Sequence, residues 1–114
     1  VVCRAPAGRA TFGRPAYAHL LCFSRELRLE PRDSFADVLP RLGEMPWPRA
    51  MGVDVCAAVC RFLKQSTTAT TVVDPFCGMG TMLAVANAHG LDAIGVERSA
   101  KRADRARALL VERD

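Results

Sequence analysis

The 114-residue sequence predicts an α/β fold with a short, mainly parallel sheet flanked by helices. Three features carry that expectation. Residues 70–73 are a β-branched run that stops at Asp74-Pro75, the composition of a buried strand ended by a residue that cannot continue a ladder. Cys77-Gly78-Met79-Gly80 follows as a glycine turn leading into a helix. A second apolar run, residues 91–96, ends on an acid, Glu97. Strand, glycine turn, helix, strand and terminal acid form half of a nucleotide-binding α/β sheet.

Taken in order, residues 1–16 hold several glycines and prolines together with Arg4, Arg9 and Arg14, and read as solvated loop. Residues 17–24, with the apolar centre Leu20 to Phe23, are expected to form a strand, and the alternation over 24–29 extends it as an edge or hairpin arm. His19 reads as a strand residue with a local hydrogen bond, since no serine, cysteine or carboxylate stands ready to use it as a base. Pro31 breaks the run. Asp33-Ser34 is placed to cap a short helical turn through Phe35, Val38 and Leu39, closed by Pro40. Five prolines and glycines keep residues 40–52 irregular. Val55, Cys56, Val59, Cys60 and Leu63 recur at helical spacing, so residues 53–64 are expected to be a helix, with 65–69 a polar connector. Thr81 is expected to cap a helix over 82–89, which Gly90 stops. A last helix is expected over 99–113, with Ser99 as cap and Ala103, Ala106, Leu109 and Leu110 as its apolar stripe. Lys101, Arg102, Arg105 and Arg107 spread around that helix and read as a solvated face.

Length and composition fit one domain, with residues 1–45 as edge strand and loops and 46–114 as the core that carries the site. Half the residues are hydrophobic, yet no apolar run approaches the roughly 18 residues that span a bilayer. No membrane partner is expected. The net charge of +4 favours a polyanionic partner. Five cysteines without a C-x-x-C pair suggest reduced thiols and a cytoplasmic location, with Cys56 and Cys60 buried on one helix face and no metal site. A chain that starts at Val1 reads as part of something longer.

The chemistry of the central unit follows from its geometry. In a parallel α/β unit ligands bind beyond the carboxyl ends of the strands, where Asp74 and Glu97 both lie. Bare backbone at Gly78 and Gly80 lets a ligand approach the helix start, which favours anionic groups. Glu97 is suited to accept hydrogen bonds from a ribose diol. A dinucleotide fingerprint would need a third glycine at position 83, which is leucine, and Asp74 would repel a pyrophosphate. A ligand with a ribose, an ammonium near Asp74 and a carboxylate near the helix start suits the site better.

Asp74-Pro75-Phe76-Cys77-Gly78-Met79-Gly80-Thr81 closely resembles the cofactor-binding motif of class I methyltransferases, most of all those that methylate amino groups of DNA or RNA bases. The resemblance implies a partial Rossmann-like methyltransferase fold and S-adenosyl-L-methionine as cofactor, held by Asp74, Pro75, Phe76, Cys77, Gly78, Gly80, Thr81 and Glu97. A looser likeness over Trp47-Pro48 to Met51-Gly52, and the helix after it, implies a loop closing over the methionine end, with Trp47, Met51 and Gly52 as its wall. It also implies a nucleic-acid substrate. The family's second motif, Asp or Asn followed by Pro-Pro and an aromatic, grips the extruded base. It has no counterpart in these residues, because no two of the seven prolines are adjacent. The catalytic residues are therefore not among the 114, and the order of elements resembles the C-terminal part of a circularly permuted member. So few parallel strands are expected to expose a sheet edge, leading to self-association or to docking of the missing half, in cis or from a partner chain.

Overall fold

Two short strands lie side by side and parallel at the centre of the C-terminal half: β3 (Thr71–Asp74) pairs with β4 (Asp92–Gly95) in the register Thr71 to Asp92 through Asp74 to Gly95. The computed structural model describes residues 1–4, 12, 13, 15–26, 28–30 and 35–112. In chain order these hold β1 (Val2–Cys3), β2 (Tyr17–Ala18), α1 (Val53–Ser66), β3, α2 (Thr81–Ala88), β4 and α3 (Ala100–Ala108). The result is a small α/β structure with three helices and two two-stranded sheets among the described residues, β1–β2 antiparallel and β3–β4 parallel. No helix among the described residues is long and apolar enough to cross a membrane.

Helix α1 starts where the chain leaves its proline-rich stretch. Its first N–H groups are taken by backbone carbonyls of the preceding loop: Val53 donates to Glu44 at 2.9 Å and Asp54 to Leu42 at 3.0 Å. That loop supplies what a capping side chain otherwise would. The far end closes through Thr67, whose hydroxyl donates to Leu63 O at 2.6 Å. Val55, Cys56 and Cys60 form the buried face. Cys56 and Cys60 meet Met82, Val85 and Ala86 of α2 and Leu91, with Val72 and Ala93 of the sheet packed against them. Lys64 fastens the two helices at their carboxyl ends by donating to His89 O at 2.7 Å. Gly90, at φ +75°, then turns the chain into β4 as a left-handed helix terminator.

Several elements depart from the sequence reading. The expected strand over 17–24 is a strand only at Tyr17–Ala18, and the 24–29 arm does not form among its described residues. β1 covers only Val2–Cys3, so residues 19–24 have no neighbour among the described residues to complete a ladder and their apolar side chains stay exposed. Residues 35–39 are not helical. Leu39 instead bridges Val2, and the expected cap at Asp33-Ser34 lies outside the described residues, as do Arg9, Arg14 and Pro31. The last helix ends at Ala108 and buries no residue, with Leu110 almost fully exposed. Its high charge and small alanines give too little apolar surface to hold a longer helix down. The expected irregularity over 40–52, the helix beginning at Val53 and the buried Cys56 and Cys60 are all present. His19 makes an edge-on ring contact with Tyr17 at 5.4 Å.

Candidate functional site

The glycine turn is stitched to the carboxyl ends of both parallel strands. Cys77 N–H donates to Val96 O at 3.1 Å, Val96 N–H donates to Asp74 O at 2.9 Å, and Gly80 N–H closes the turn on Cys77 O at 2.8 Å. Asp74, the turn and Glu97 therefore share one end of the sheet. Each carboxylate is held in place by one backbone donor. Phe76 N–H reaches Asp74 Oδ1 at 3.0 Å, and Ser99 N–H reaches Glu97 Oε1 at 2.7 Å. Each has its second oxygen without a hydrogen-bond partner among the described residues. Phe76 is 90% exposed, beside the turn.

The two glycines of the turn do different things. Both have positive φ, +55° at Gly78 and +88° at Gly80, a conformation that costs an L-residue about 1–2 kcal/mol. A Cβ at Gly78 would meet nothing within 4 Å. A Cβ at Gly80 would lie 2.7 Å from Ala106 Cβ, so α3 seats directly on this glycine. Gly78 is the open flank of the turn and Gly80 the closed one. A third glycine, which the sequence reading did not single out, completes the arrangement. A Cβ at Gly95 would collide with Leu83 Cδ1 and lie 2.6 Å from Cys77 Sγ. The close helix–strand approach that a glycine at position 83 would permit is instead provided from the strand side, with Leu83 reaching over Gly95. A glycine inside a strand-like Ile94-Gly95-Val96 run was the available signal.

Thr81 is not the cap expected of it. Gly80 occupies the N-cap position in the left-handed conformation and Thr81 is the first helical residue. Its side chain therefore sits one position too late to bond the N2 or N3 amide. Thr81 is only 3% exposed, and its Oγ1 is buried with no hydrogen-bond partner.

Burial raises the Cys77 thiol above its ordinary pKa, and the charges of Asp74 and Glu97 push it further the same way. It stays protonated near neutral pH and is no candidate for a thiolate nucleophile. The thiol of Cys56 is pushed up to about 12, first by burial and then by the neighbouring Cys60 and Asp74. Among the described residues no group of His, Cys, Asp and Glu is arranged to hold a metal ion.

The wall expected from Trp47, Met51 and Gly52 is less closely tied to the turn. Trp47 is half-buried in a tight turn closed by Ala50 N–H on Trp47 O at 3.0 Å, with Arg49 at φ +68°. Met51 is half exposed. Gly52 is buried because the backbone of Leu42 lies where its Cβ would be. None of the three shares a hydrogen bond or ring contact with the turn. No protein-family model, curated protein or solved structure matches the chain.

Proposed function

We propose that this chain is the cofactor-binding portion of an S-adenosyl-L-methionine-dependent methyltransferase acting on an amino group of a DNA or RNA base, built on part of a Rossmann-like sheet. The observation that supports this most is the open left-handed Gly78, flanked by Asp74 and Glu97 at the carboxyl ends of paired parallel strands. The residues present fit the cofactor. The free oxygen of Glu97 accepts from the ribose, and that of Asp74 accepts from the ammonium. The side of the turn at Gly78 admits the ligand backbone without displacing α3. Phe76 offers an apolar face next to these groups, with Pro75 and Cys77 shaping the turn around it. The buried, unpartnered Thr81 hydroxyl at the start of α2 is a donor without an acceptor. Bound S-adenosyl-L-methionine supplies an activated methyl group. This chain's part is to hold its ribose and amino-acid ends so that the methyl faces the acceptor. Trp47, Met51 and Gly52, just before α1, are assigned to the wall over the methionine end on the likeness of that stretch alone.

Isothermal titration of the intact protein with S-adenosyl-L-methionine tests the reading. Binding is expected, with a loss of roughly tenfold or more in Glu97→Ala, since a hydrogen bond to a charged group is worth about 1.5–3 kcal/mol. Absence of heat, or an unchanged affinity in the variant, would sink it.

A second reading is favoured by the missing Pro-Pro-aromatic motif and the two-stranded sheet: a non-catalytic cofactor-binding or assembly module of a multi-chain enzyme. Val73, Ile94 and Val96 are exposed on and beside a parallel pair, although parallel sheets are ordinarily covered on both faces. That surface suits the missing catalytic half, supplied in cis or by a partner, or a second copy of this chain. Sedimentation of the protein across a concentration series separates self-association from a monomer. Binding without turnover on any nucleic-acid substrate would favour the module.

A further inference from the structure

The charges on and just before α3 are arranged against the stability of the helix that carries them. Lys101, Arg102 and Arg105 fall at offsets of 0, 1 and 4 and share one face of α3, and Arg98 stands just before its extended N-cap, Ser99. The face is a stripe, narrower than the spread around the helix that the sequence suggested, with Arg107 off it and bound to Asp104 at 2.7 Å. Like charges at these spacings repel. Three of the four also stand at the amino-terminal end, where the helix dipole disfavours cations, and no acid occupies the first turn. The Glu97 carboxylate lies nearby, bonded to Ser99 N–H. No member of the stripe has an ion-pair partner among the described residues. A solvated helix face ordinarily mixes both signs; residues 98–107 hold five bases and one acid. Packing does not account for the stripe either, since α3 buries no residue.

The stripe also has a definite place. α3 rests on Gly80 through Ala106, and the residue before it, Arg105, donates from Nη1 to Met79 Sδ at 3.6 Å. The basic line therefore begins beside Glu97 and ends at the glycine turn, flanking the site from one end to the other. From Lys101 to Arg105 it covers four residue steps, about 6 Å along the helix, with Arg98 beyond the amino-terminal end.

We infer that the Arg98–Lys101–Arg102–Arg105 stripe is a docking track for the phosphodiester backbone of one nucleic-acid strand, holding it against the flank of the glycine turn. This inference rests on the nucleic-acid reading above and adds the surface that bears the substrate. Phosphates compensate the mutual repulsion of the stripe and its conflict with the helix dipole, which nothing within the described chain does. The contacts are to backbone, so they position the strand and carry no sequence information.

The test is the salt dependence of binding to the intact protein, read by fluorescence anisotropy with a labelled single-stranded RNA and a DNA of the same sequence. In Arg98→Gln/Lys101→Gln/Arg102→Gln, the slope of log K against log salt is expected to fall by about 2–3, since each phosphate contact contributes about 0.7–0.9. The charge-conserving set Arg98→Lys/Lys101→Arg/Arg102→Lys is expected to keep the parental slope. Titration with S-adenosyl-L-methionine is expected to be unchanged in both, because none of these three residues is among those assigned to the cofactor. If the neutral variant retains cofactor binding and the parental salt slope, the track is overturned while the cofactor reading stands. If the parent binds neither RNA nor DNA, or if polyglutamate displaces the strand as well as unlabelled nucleic acid does, the track is likewise overturned. Equal slopes for RNA and DNA are the expected result, and a slope present for only one would show that the stripe reads the sugar and overturn a backbone-only track.

Discussion

Residues 1–52 and residues 53–112 have similar apolar content and opposite fates. In the first, Leu21, Phe23, Phe35 and Val38 are exposed and the named strands are two residues long. In the second, Cys56, Cys60, Val85 and Ala86 are wholly or almost wholly buried in one cluster. The difference is in where partners come from. α1, β3, α2 and β4 follow one another directly, with α2 packed on α1 and on both strands, so a core closes from near neighbours. An apolar strand such as 17–24 needs long-range pairing, and the described residues offer it only Val2–Cys3. Hydrophobic composition makes a segment ready to be buried. Only a neighbour with matching edge or face does the burying.

Gly80→Ala should break that contrast most severely. The new methyl meets Ala106 Cβ at 2.7 Å and Ala106 Cα at 3.0 Å, so α3 has to move, and the left-handed φ of +88° adds strain. Together these are expected to cost about 3 kcal/mol, read as a lowered denaturant midpoint in the intact protein. An unchanged midpoint would mean that α3 does not seat on the turn.

The cysteines sharpen the comparison because they sample both halves. Cys22 is exposed and Cys56 and Cys60 are buried. Alkylation under native conditions is expected to modify Cys22 within the ordinary time of a free thiol, and Cys56 and Cys60 only on unfolding. The pH dependence follows. The folded pKa of Cys56 lies near 12, above the ordinary thiol value of 9.0, so between these values the unfolded chain loses a proton that the folded chain keeps. Stability contributed by the neutral buried thiol is complete below pH 9 and falls above it, by about 2 kcal/mol at pH 10.5 from this group alone. Cys60 and Cys77, also raised mainly by burial, add in the same direction. Denaturation midpoints of Cys56→Ala should therefore decline less steeply with alkaline pH than those of the parent. Parallel profiles would show that the site is wetter than its burial implies.

What the sequence made legible follows the same divide. The β-branched run before Asp74, the glycine turn, the stop at Gly90 and the apolar stripe of α1 are local patterns, and each produced the element expected of it. β3 is nevertheless not the buried strand its composition suggested: Thr71 and Val73 are exposed because no third layer covers that face among the described residues. Residues 17–24 and 35–39 failed because their structure depends on distant pairing, which local propensity does not encode. At the site, Asp74, the turn and Glu97 come together because strand ends and turns are set by nearby sequence. The assignment of Thr81 missed by one residue, since whether a glycine or a threonine occupies the N-cap depends on a backbone dihedral. Gly95 was missed because its need arises from Leu83, twelve positions away, laid across it by the helix.

Gly78→Ala separates fold from site. The added methyl has open space, so only the left-handed conformation is strained, at about 1 kcal/mol or slightly more. Stability should fall much less than in Gly80→Ala. Titration should nevertheless show weakened S-adenosyl-L-methionine binding, because the methyl stands on the flank assigned to the ligand. Equal losses of stability in the two variants would erase the distinction between an open and a closed glycine.

The smallest effect is expected in the first half. Phe23 is 90% exposed and 17–24 forms no strand beyond Ala18, so Phe23→Ser removes little packing within this chain. Its unfolding midpoint should stay within about 0.5 kcal/mol of the parent. Leu20, Leu21 and Phe23 line, with Val59, Phe62 and Leu63 of α1, an open apolar cleft of about 1090 Å³. If the cleft is filled in the intact protein by further chain or a partner, the same substitution will cost several times more there. The measurement is therefore most informative when repeated at rising protein concentration. A cost that grows with concentration places Phe23 in an interface between copies. A large cost independent of concentration places it under additional structure of its own chain. A negligible cost throughout shows that Phe23 stays in solvent and contributes nothing to folding.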